Sequence, residues 1–279
     1  MTTTLRPTGA EQRGADGGRS RRFTVCVNSR PVGVIQLATD ERFGPEAGRI
    51  VSLEIDEKDR RRGRGTVAAL AAEEVLRSWG CRRVEARVPA DGAIALRLAT
   101  ALGYVERDRS MIKSLPDTAP ALPEDAEVRP MGEAEYDAWH ERDRARYIDS
   151  WVQRGVPYEQ AAAKADAEYR TRLSDGPHTT DTVLRVLAHG GQDVGWLWVG
   201  LRDRTQSHAP AWVFDVEVAE SRRGRGHGRT LMLLAERECL AADVHTLGLN
   251  VFAGNTPALR LYESLGYQPT ELHLAKPLL

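Results

Sequence analysis

The sequence contains few of the residues that mark secreted, metal-binding or membrane-spanning proteins. Its three cysteines are odd in number and scattered, which predicts reduced thiols and argues against a disulfide framework or a metal site. No apolar run reaches the roughly 18 residues that a spanning helix needs. Residues 1–20 are polar and do not resemble a signal peptide. We therefore expect a cytoplasmic protein with no membrane partner.

A dominant charge of one sign is also absent. The chain has 39 Lys and Arg against 40 Asp and Glu, a formal net charge of -1. No overall basic field would attract nucleic acid. Arginine is the ordinary basic residue here, because only Lys58, Lys113, Lys164 and Lys276 are lysines. The arginine run at residues 60–62 is therefore weak support for a nucleic-acid site, and we expect no such partner.

The sequence does contain a strand, a glycine-rich turn and a helix in direct succession. Phe214, Val216 and Val218 alternate with polar residues, a strand pattern, and an apolar helical pattern begins at Leu231. The unpaired N–H groups of a first helical turn attract anions, and glycines let a phosphate approach the backbone. The stretch is predicted to hold a phosphorylated ligand, although its spacing matches neither common nucleotide loop.

The turn resembles the acyl-CoA loop, R-x-x-G-x-G, of the GNAT acetyltransferase superfamily, through Arg223, Gly226 and Gly228. Residues 255–267 resemble its second signature, N-x-x-A-x-x-x-Y-x-x-x-G-[FY]. The resemblance covers most of residues 126–279. It implies an α/β (mixed α+β) GNAT fold, in which a mixed, mostly antiparallel, twisted sheet is flanked by helices. It also implies acetyl-CoA as co-substrate, no metal, and direct acetyl transfer to a primary amine.

The chain repeats itself at a fixed offset of 163 positions. Between residues 53–115 and 216–278, 20 of 63 positions are identical, which indicates internal duplication of one α/β unit. We expect a degenerate N-terminal GNAT domain at 1–115, an extended proline-rich linker at 116–125 and a complete catalytic domain at 126–279. This architecture is similar to that of the mycothiol synthase family. We expect a monomer with pseudo-dimeric domains or a homodimer.

The two copies are unequal. Helices are predicted at 133–154 and 158–173 of the second copy, and in the GNAT family such helices cover the acceptor side. The matching segment of the first copy, residues 8–22, is too short for two helices, and residues 1–20 are expected to be frayed apart from a possible strand at 4–7. Gly92 and Ala99 replace Asn255 and Tyr262. A structural or regulatory role is predicted for the first copy.

The resemblance assigns roles in acetyl-CoA binding. Backbone N–H groups from Gly224 to Arg229 would face the pyrophosphate, with the His227 side chain in solvent. The Val218 N–H, at a strand bulge, would stabilise the oxyanion, and Asn255 would bind the pantetheine arm. The implied contacts are Val216, Val218, Arg223, Gly224, Arg225, Gly226, His227, Gly228, Arg229, Thr230, Asn255, Leu259 and Tyr262. A second possible acetyl-CoA site comprises Ile55, Arg60, Gly63, Arg64, Gly65 and Thr66.

Catalysis requires an acid for the thiolate and a base for the ammonium. Tyr262 matches the family's acid, and thiol and phenol pKa values of roughly 8.5 and 10 are close enough for proton transfer. Alternatively, it is a packing residue of an amphipathic helix. The positions where relatives carry a base hold Trp212, Phe214 and Asn250. Glu217 and Asp215 remain as candidates, against a solvated strand face or proton loss through water.

The resemblance thus implies an acetyl-CoA-dependent N-acetyltransferase whose acceptor is a small-molecule amine, such as an antibiotic, or a peptide amine at a protein N-terminus or lysine. A non-catalytic acetyl-CoA sensor is the alternative, suggested by the absent base. Tyr262 and Asn255 favour the enzyme, because a sensor needs no acid for a thiolate.

Overall fold

The computed structural model describes residues 3–14, 17–40, 44–153, 156–202 and 209–278. The chain folds as two compact units. Unit 1 comprises Met1–Arg109 and Glu271–Leu279, and unit 2 comprises Ser110–Thr270. The units are therefore interleaved along the chain, whereas the bounds 1–115, 116–125 and 126–279 remain predictions.

The first half of the chain is mostly strand. Its elements are β1 (Thr3–Pro7), β2 (Gln12–Arg13), β3 (Arg19–Val27), β4 (Arg30–Asp40), β5 (Gly44–Ile55), α1 (Arg64–Ser78), β6 (Arg83–Pro89), α2 (Ala93–Ala101) and β7 (Val105–Ser114). The possible strand at 4–7 is confirmed by β1. The expectation that residues 1–20 are frayed is wrong where they are described, because β1 and β2 both pair with β3. Met1, Thr2, Ala15 and Asp16 lie outside the described residues.

The second half adds two long helices before its sheet. Its elements are β8 (Glu127–Pro130), α3 (Glu133–Val152), α4 (Tyr158–Arg172), β9 (Thr182–His189), β10 (Gln192–Gly200), β11 (Ala211–Val218), α5 (His227–Ala241), β12 (Thr246–Phe252), α6 (Thr256–Ser264) and β13 (Gln268–Pro277). The predicted helix end at Arg154 lies outside the described residues. No helix in the described part of the chain is long and apolar enough to cross a bilayer.

The duplication is visible in the element bounds. From a 3-10 turn at Glu57–Asp59 to the end of β7, every element recurs 163 residues later with the same length, so that α1 matches α5. Each of these two helices begins after a left-handed glycine, Gly63 or Gly226. A β-carbon disfavours that conformation, so glycine fixes where the helix begins.

Unit 1 is built on a mixed, mostly antiparallel sheet. Its strand order is β1-β3-β4-β5-β6-β13, and among these described strands only the β5–β6 pair is parallel. The sheet and α1 enclose a core that includes Ile35, Leu37 and Leu76. Leu272 and Leu274 of β13 belong to the same core. The last strand of the chain therefore completes the unit built by the first copy.

Unit 2 has the same design, but its added strand, β7, comes from the first copy. Its strand order is β7-β12-β11-β10-β9-β8, and β11–β12 is again a parallel pair beside antiparallel ones. The core includes Leu197, Leu231 and Leu247, and Met111 and Leu115 from the end of the first copy pack into it. The two copies thus exchange their last strands.

Matching buried ion pairs accompany this exchange. In unit 1, Lys276 Nζ of β13 lies 2.7 Å from Glu73 Oε2 of α1. In unit 2, Lys113 Nζ of β7 lies 2.7 Å from Glu236 Oε1 of α5. The lysines and the glutamates correspond at the offset of 163. Each buried glutamate is therefore neutralised by the lysine of the other copy.

The second copy differs by an insertion between its first two long strands. α3 and α4 occupy this insertion, whereas residues 3–14 and 17–27, the described equivalent in the first copy, hold only β1, β2 and β3. Glu135 supports the start of α3 by accepting from the Gly132 N–H at 2.9 Å and by pairing with Arg129. These bonds lower the pKa of Glu135 to about 2.

Candidate functional site

The glycine loop of unit 2 has the shape expected of an anion cradle. After a 3-10 turn at Glu220–Arg222, Gly224 and Gly226 take left-handed conformations, with φ of +75° and +88°. A β-carbon at either position would meet no atom within 4 Å, so the loop is open on that side. Arg223 Nε donates to the Val218 carbonyl at 3.3 Å. α5 begins at His227, directly after Gly226, so the loop lies at the electropositive N-terminus of this helix.

Some donors of the loop are used within the protein. The Arg229 and Thr230 N–H groups donate to the Gly226 carbonyl at 2.9 and 3.1 Å, and the Thr230 hydroxyl also donates to it at 3.5 Å. The expectation that His227 points to solvent is wrong. His227 is buried with its ring 5.3 Å from that of His189, and burial followed by the charge of His189 lowers its pKa.

β11 and β12 diverge next to the loop. Their parallel ladder joins Ala211–Val213 to Leu247–Leu249, while β11 continues to Val218. A bulge was expected at Val218 but lies at Phe214, where the pairing with β10 changes from Trp198–Asp215 to Val199–Val213. A bulge bends a strand and increases its twist, which accounts for the divergence beginning there.

Close packing fixes the far wall of this opening. A β-carbon on Gly228 would lie 3.3 Å from Leu261 Cδ2 and 3.9 Å from Val218 Cγ2. α5, β11 and α6 therefore converge at Gly228, whose small size favours this close approach. The opening between β11 and β12 is bordered by Val216, Val218 and the glycine loop, the residues expected to contact acetyl-CoA.

α6 brings Tyr262 and Asn255 to this opening. Asn255 caps the helix, because its Oδ1 accepts from the Ala258 N–H at 3.3 Å. Leu259 and Tyr262 pack partly buried against the unit 2 core. Burial, followed by the negative charge of Asp215, raises the pKa of Tyr262 to about 12. The phenol therefore keeps its proton at neutral pH and lies within electrostatic reach of a candidate base.

Asp215 occupies an unusual environment for a carboxylate. Its Oδ2 lies 3.4 Å from Trp139 Nε1 and 3.2 Å from Arg146 Nη2, both on α3. Burial, followed by the charge of Asp143, raises the pKa of Asp215 to about 7, although the charge of Arg146 acts in the opposite direction. The side chain is 14% exposed. A largely covered carboxylate that changes charge near neutral pH is suited to proton transfer.

Glu217 is instead engaged by two arginines. Arg146 Nη1 lies 3.1 Å from its Oε1 and Arg142 Nη2 lies 3.6 Å from its Oε2. Its side chain is 15% exposed. The solvated strand face considered as the alternative for Asp215 and Glu217 is therefore wrong, because α3 covers both carboxylates.

The sequence interpretation missed four residues of this cluster: Trp139, Asp143, Arg146 and Tyr169. Tyr169 OH donates to Asp143 Oδ2 at 2.5 Å, and Arg146 Nη2 donates to Asp143 Oδ1 at 2.6 Å. Positions 139, 143 and 146 share one face of a helix. The sequence signal that could have found three of them is the charged pair Asp143 and Arg146 on the same helical face as Trp139.

Unit 1 contains a similar loop without this cluster. Gly63 and Arg61 take left-handed conformations, and Arg60 Nε donates to the Ile55 carbonyl at 2.8 Å. Gly65 lies close to Ile55 and Leu98, just as Gly228 lies close to Val218 and Leu261. Thr66 follows in α1. Arg64 differs from His227 in pairing with the buried Asp59.

The family is established by comparison with known proteins. The model of the Acetyltransferase (GNAT) family matches residues 4–104 and 133–267, which together make up most of the chain. The chain belongs to this family, and the matches confirm the expected tandem GNAT fold. Acetyl-CoA is the acetyl donor that the family uses, which agrees with the loop, the strand divergence and α6 of unit 2.

Three similar proteins support the assignment at different levels. The uncharacterized N-acetyltransferase YycN of Bacillus subtilis is 31% identical over 85 residues, and the alignment covers 30% of this chain and 54% of YycN. Mycothiol acetyltransferase of Rhodococcus erythropolis is 26% identical, over 94% of this chain and 85% of that protein. A tandem GNAT protein from the clavulanic acid biosynthesis pathway has the same fold, with a TM-score of 0.51, 19% identity and coverage of 95% and 85%.

Proposed function

We propose that unit 2 transfers an acetyl group from acetyl-CoA to a primary amine. The observation that carries this proposal is the position of Asp215. It lies on β11 just beyond the point where β12 diverges, it has a pKa of about 7, and its charge acts on Tyr262. The main argument for a sensor is the lack of a base at the positions where relatives carry one. Asp215, which follows the acceptor-side helices and precedes the acetyl-CoA loop in the sequence, is proposed to be that base.

The reaction follows from the groups on the two sides of the opening. Asp215 accepts a proton from the acceptor ammonium, and the freed amine nitrogen forms a bond to the acetyl carbonyl carbon. The Val218 N–H would stabilise the negative charge on the carbonyl oxygen. The C–S bond then breaks, and Tyr262 gives its proton to the thiolate. The nitrogen of the tetrahedral intermediate releases its second proton to solvent, which leaves a neutral amide, and the phenolate takes a proton from solvent.

Asp215 is a better base than Glu217 on physical grounds. A general base works best when its pKa lies near the operating pH, and the pKa of Asp215 is about 7. Glu217 is bridged to Arg146 and Arg142. We therefore propose that Glu217 holds the two arginines in the acceptor site and that Asp215 moves the proton.

The donor contacts are proposed from the same geometry. The N-terminus of α5 and the loop from Arg223 to Gly228 would hold the pyrophosphate, since the loop is open and electropositive. Val216, Leu259 and Asn255 would line the pantetheine arm. We propose no turnover for unit 1, because Ser52 and Ala99 stand where the second copy has Asp215 and Tyr262.

The acceptor class is proposed more broadly. α3 and α4 cover the acceptor side, where the three carboxylates of Asp143, Asp215 and Glu217 outnumber the guanidinium groups of Arg142 and Arg146. This excess of negative charge suits a cationic amine. The similarity to mycothiol acetyltransferases makes an amine precursor of mycothiol one candidate. The alternatives are other small amines, including antibiotics, and peptides with a free N-terminus or lysine.

Release of the free thiol of CoA from acetyl-CoA would be measured with the full chain against a panel of these amines. We expect at least one amine to stimulate release and to gain, by mass spectrometry, an acetyl group in place of a proton. Asp215→Asn and Tyr262→Phe should each lower kcat by about 10²–10⁴. The exposed Tyr158 provides a control, and Tyr158→Phe should keep full activity. Tight acetyl-CoA binding with no acetylated amine would instead support the sensor.

A further inference from the structure

The insertion of the second copy builds a chain of contacts that ends at Asp215. Tyr169 OH of α4 donates to Asp143 of α3, and Asp143 accepts from Arg146 one helical turn later. The Arg146 guanidinium then reaches Asp215 Oδ2 at 3.2 Å and Glu217 Oε1 at 3.1 Å. One cation therefore joins three carboxylates from two elements. Asp143 itself is 8% exposed and is joined to Asp215 through Arg146 Nη2, which donates to both carboxylates.

We propose that Asp143, supported by Tyr169, is a positioning residue that holds the Arg146 guanidinium between Asp215 and Glu217 in the acceptor site. This inference rests on the proposed role of Asp215 as the base. A free arginine side chain has many rotamers, whereas two charge-assisted bonds from fixed partners restrict it to one. Asp143 supplies one of these partners and Glu217 the other.

The positioning has a predictable electrostatic consequence for Asp215. The groups facing it are Asp143 and Arg146 on α3, Glu217 on its own strand, Tyr169 on α4 and Tyr262 on α6. The two carboxylates raise the pKa of Asp215 and the arginine lowers it. Neutralising Asp143 should therefore lower this pKa, because a repelling charge is lost. Neutralising Arg146 should raise it.

Opposite changes in this pKa distinguish positioning from structural support. Both Asp143→Asn and Arg146→Gln remove one partner of this network, so both would destabilise the unit in the same direction if the residues only supported the fold. The proposal instead requires the Asp215 titration midpoint to fall by about 1 pH unit in Asp143→Asn and to rise by about 1–3 pH units in Arg146→Gln.

The test is a carbon-13 NMR titration of aspartate carboxyl groups in the full chain, with the Asp215 signal assigned by its loss in Asp215→Asn. Asp166→Asn is the matched control, since Asp166 pairs with Arg144 across the same two helices and is far more exposed. It should leave the Asp215 midpoint unchanged. Midpoints that move in the same direction in both test variants, or do not move, would overturn the proposal.

A fallback variant and a conservative variant keep the proposal falsifiable. If Asp143→Asn does not fold, Arg146→Gln decides alone, and an unmoved midpoint overturns the proposal. Arg146→Lys should move the midpoint less than Arg146→Gln, because it keeps the charge but loses the planar fork that joins several carboxylates. The titration needs neither acetyl-CoA nor an amine, so its failure is separate from failure of the proposed function. Once an acceptor is known, the acidic limb of kcat/KM should move with the midpoint.

Discussion

The two copies of this chain share a loop and differ in what surrounds it. In both, a left-handed glycine starts the helix, an arginine Nε bonds the last carbonyl of the preceding strand, and the parallel ladder ends at the same position. Only the second copy carries α3 and α4 in the described part of the chain. The difference teaches that the loop is a property of the fold, whereas the proton-transfer groups depend on the inserted helices.

The β-bulges of the two copies lead to the same conclusion. The pairing with the neighbouring strand skips Val51 in β5 and Phe214 in β11, positions that correspond at the offset of 163. Both copies therefore open their sheets in the same place. In the first copy Ser52 follows the bulge, and in the second Asp215 follows it. A buried aspartate is costly without partners, and Trp139 and Arg146 exist only in the copy that has it.

Among the changes that compare the two copies, loss of the Tyr262 hydroxyl should have the largest effect on activity. Tyr262→Phe keeps the ring packing and removes the proton, so we expect kcat to fall by about 10²–10⁴. Acetyl-CoA affinity, measured by calorimetry, should stay within a few-fold. Ala99→Tyr places a tyrosine at the matching position of the first copy and should add no activity. A Tyr262→Phe enzyme with full kcat would make the residue a packing residue.

A charge in the two glycine loops should have the next largest effect. Gly226→Asp introduces a negative charge and a β-carbon at a left-handed position. At about 4 Å from a phosphate the repulsion costs roughly 1–4 kcal/mol, which corresponds to about a 5- to 1,000-fold loss of acetyl-CoA affinity. Steady-state kinetics should show the loss as a raised KM.

Gly63→Asp is the matched variant in unit 1. It carries the same strain and charge in a loop of the same shape, and we expect activity to stay within a few-fold of the parent protein. If both variants are folded and equally inactive, the first copy takes part in catalysis and the proposed division between the units is wrong.

The sequence predicted the repeated elements well, because their signals are local. The glycines that start α1 and α5, and the apolar faces of both helices, can be read from neighbouring residues. The exchange of β7 and β13 could not be predicted in this way. Lys113 and Lys276 are equivalent, as are Glu73 and Glu236, so either pairing of lysine and glutamate satisfies the same pattern. Only tertiary structure selects one.

The candidate site was predicted in part for a related reason. Tyr262 and the loop follow a spaced motif, and Asp215 and Glu217 lie on the same strand as Val218. Asp143 and Arg146 are more than 60 residues away in sequence, on a helix rich in charged residues. Their position against β11 depends on how α3 packs, which local patterns do not specify. The burial of His227 at the start of α5 is not predictable locally, because the neighbouring ring of His189 comes from β9, about 40 residues earlier.

The exchanged ion pairs give a third test, with a smaller expected effect. Lys113→Ala leaves Glu236 buried without its partner, and Lys276→Ala does the same to Glu73. Each should lower the free energy of unfolding by about 1–3 kcal/mol. Amide hydrogen exchange should accelerate in α5 and β12 of unit 2 for Lys113→Ala. For Lys276→Ala it should accelerate in α1 and β6 of unit 1.

The location of the change decides whether the strands are exchanged. Without exchange, each lysine would neutralise the glutamate of its own copy, and the two patterns of acceleration would be reversed. Lys164, which pairs with Glu168 on α4, serves as a control because it joins neither exchanged strand. Lys164→Ala should leave protection in α1 and α5 unchanged.

The smallest expected effect is a pH dependence of stability that β13 should produce and β7 should not. His273 of β13 lies in unit 1 with its Nδ1 2.5 Å from Asp108, whereas the equivalent residue of β7 is Ser110. Burial alone would lower the pKa of His273, but hydrogen bonds to Asp108 and Glu271 outweigh burial and raise it. A histidine with a raised pKa adds stability below its unfolded pKa of about 6.5, and this stability is lost as pH rises through the folded pKa.

Unit 1 should therefore become less stable as the pH rises above about 6.5, and the loss grows with the difference between the folded and unfolded pKa values of His273. Asp108, whose pKa the same contacts lower, stays ionised at these pH values and adds no slope of its own. Hydrogen exchange in β6, corrected for its intrinsic pH dependence, should accelerate with pH in the parent protein and lose that slope in His273→Gln. His245→Gln, which changes a more exposed histidine of unit 2, should keep the slope. A slope that survives His273→Gln would assign the pH response to another group, and the borrowed strands would then be equivalent in this respect.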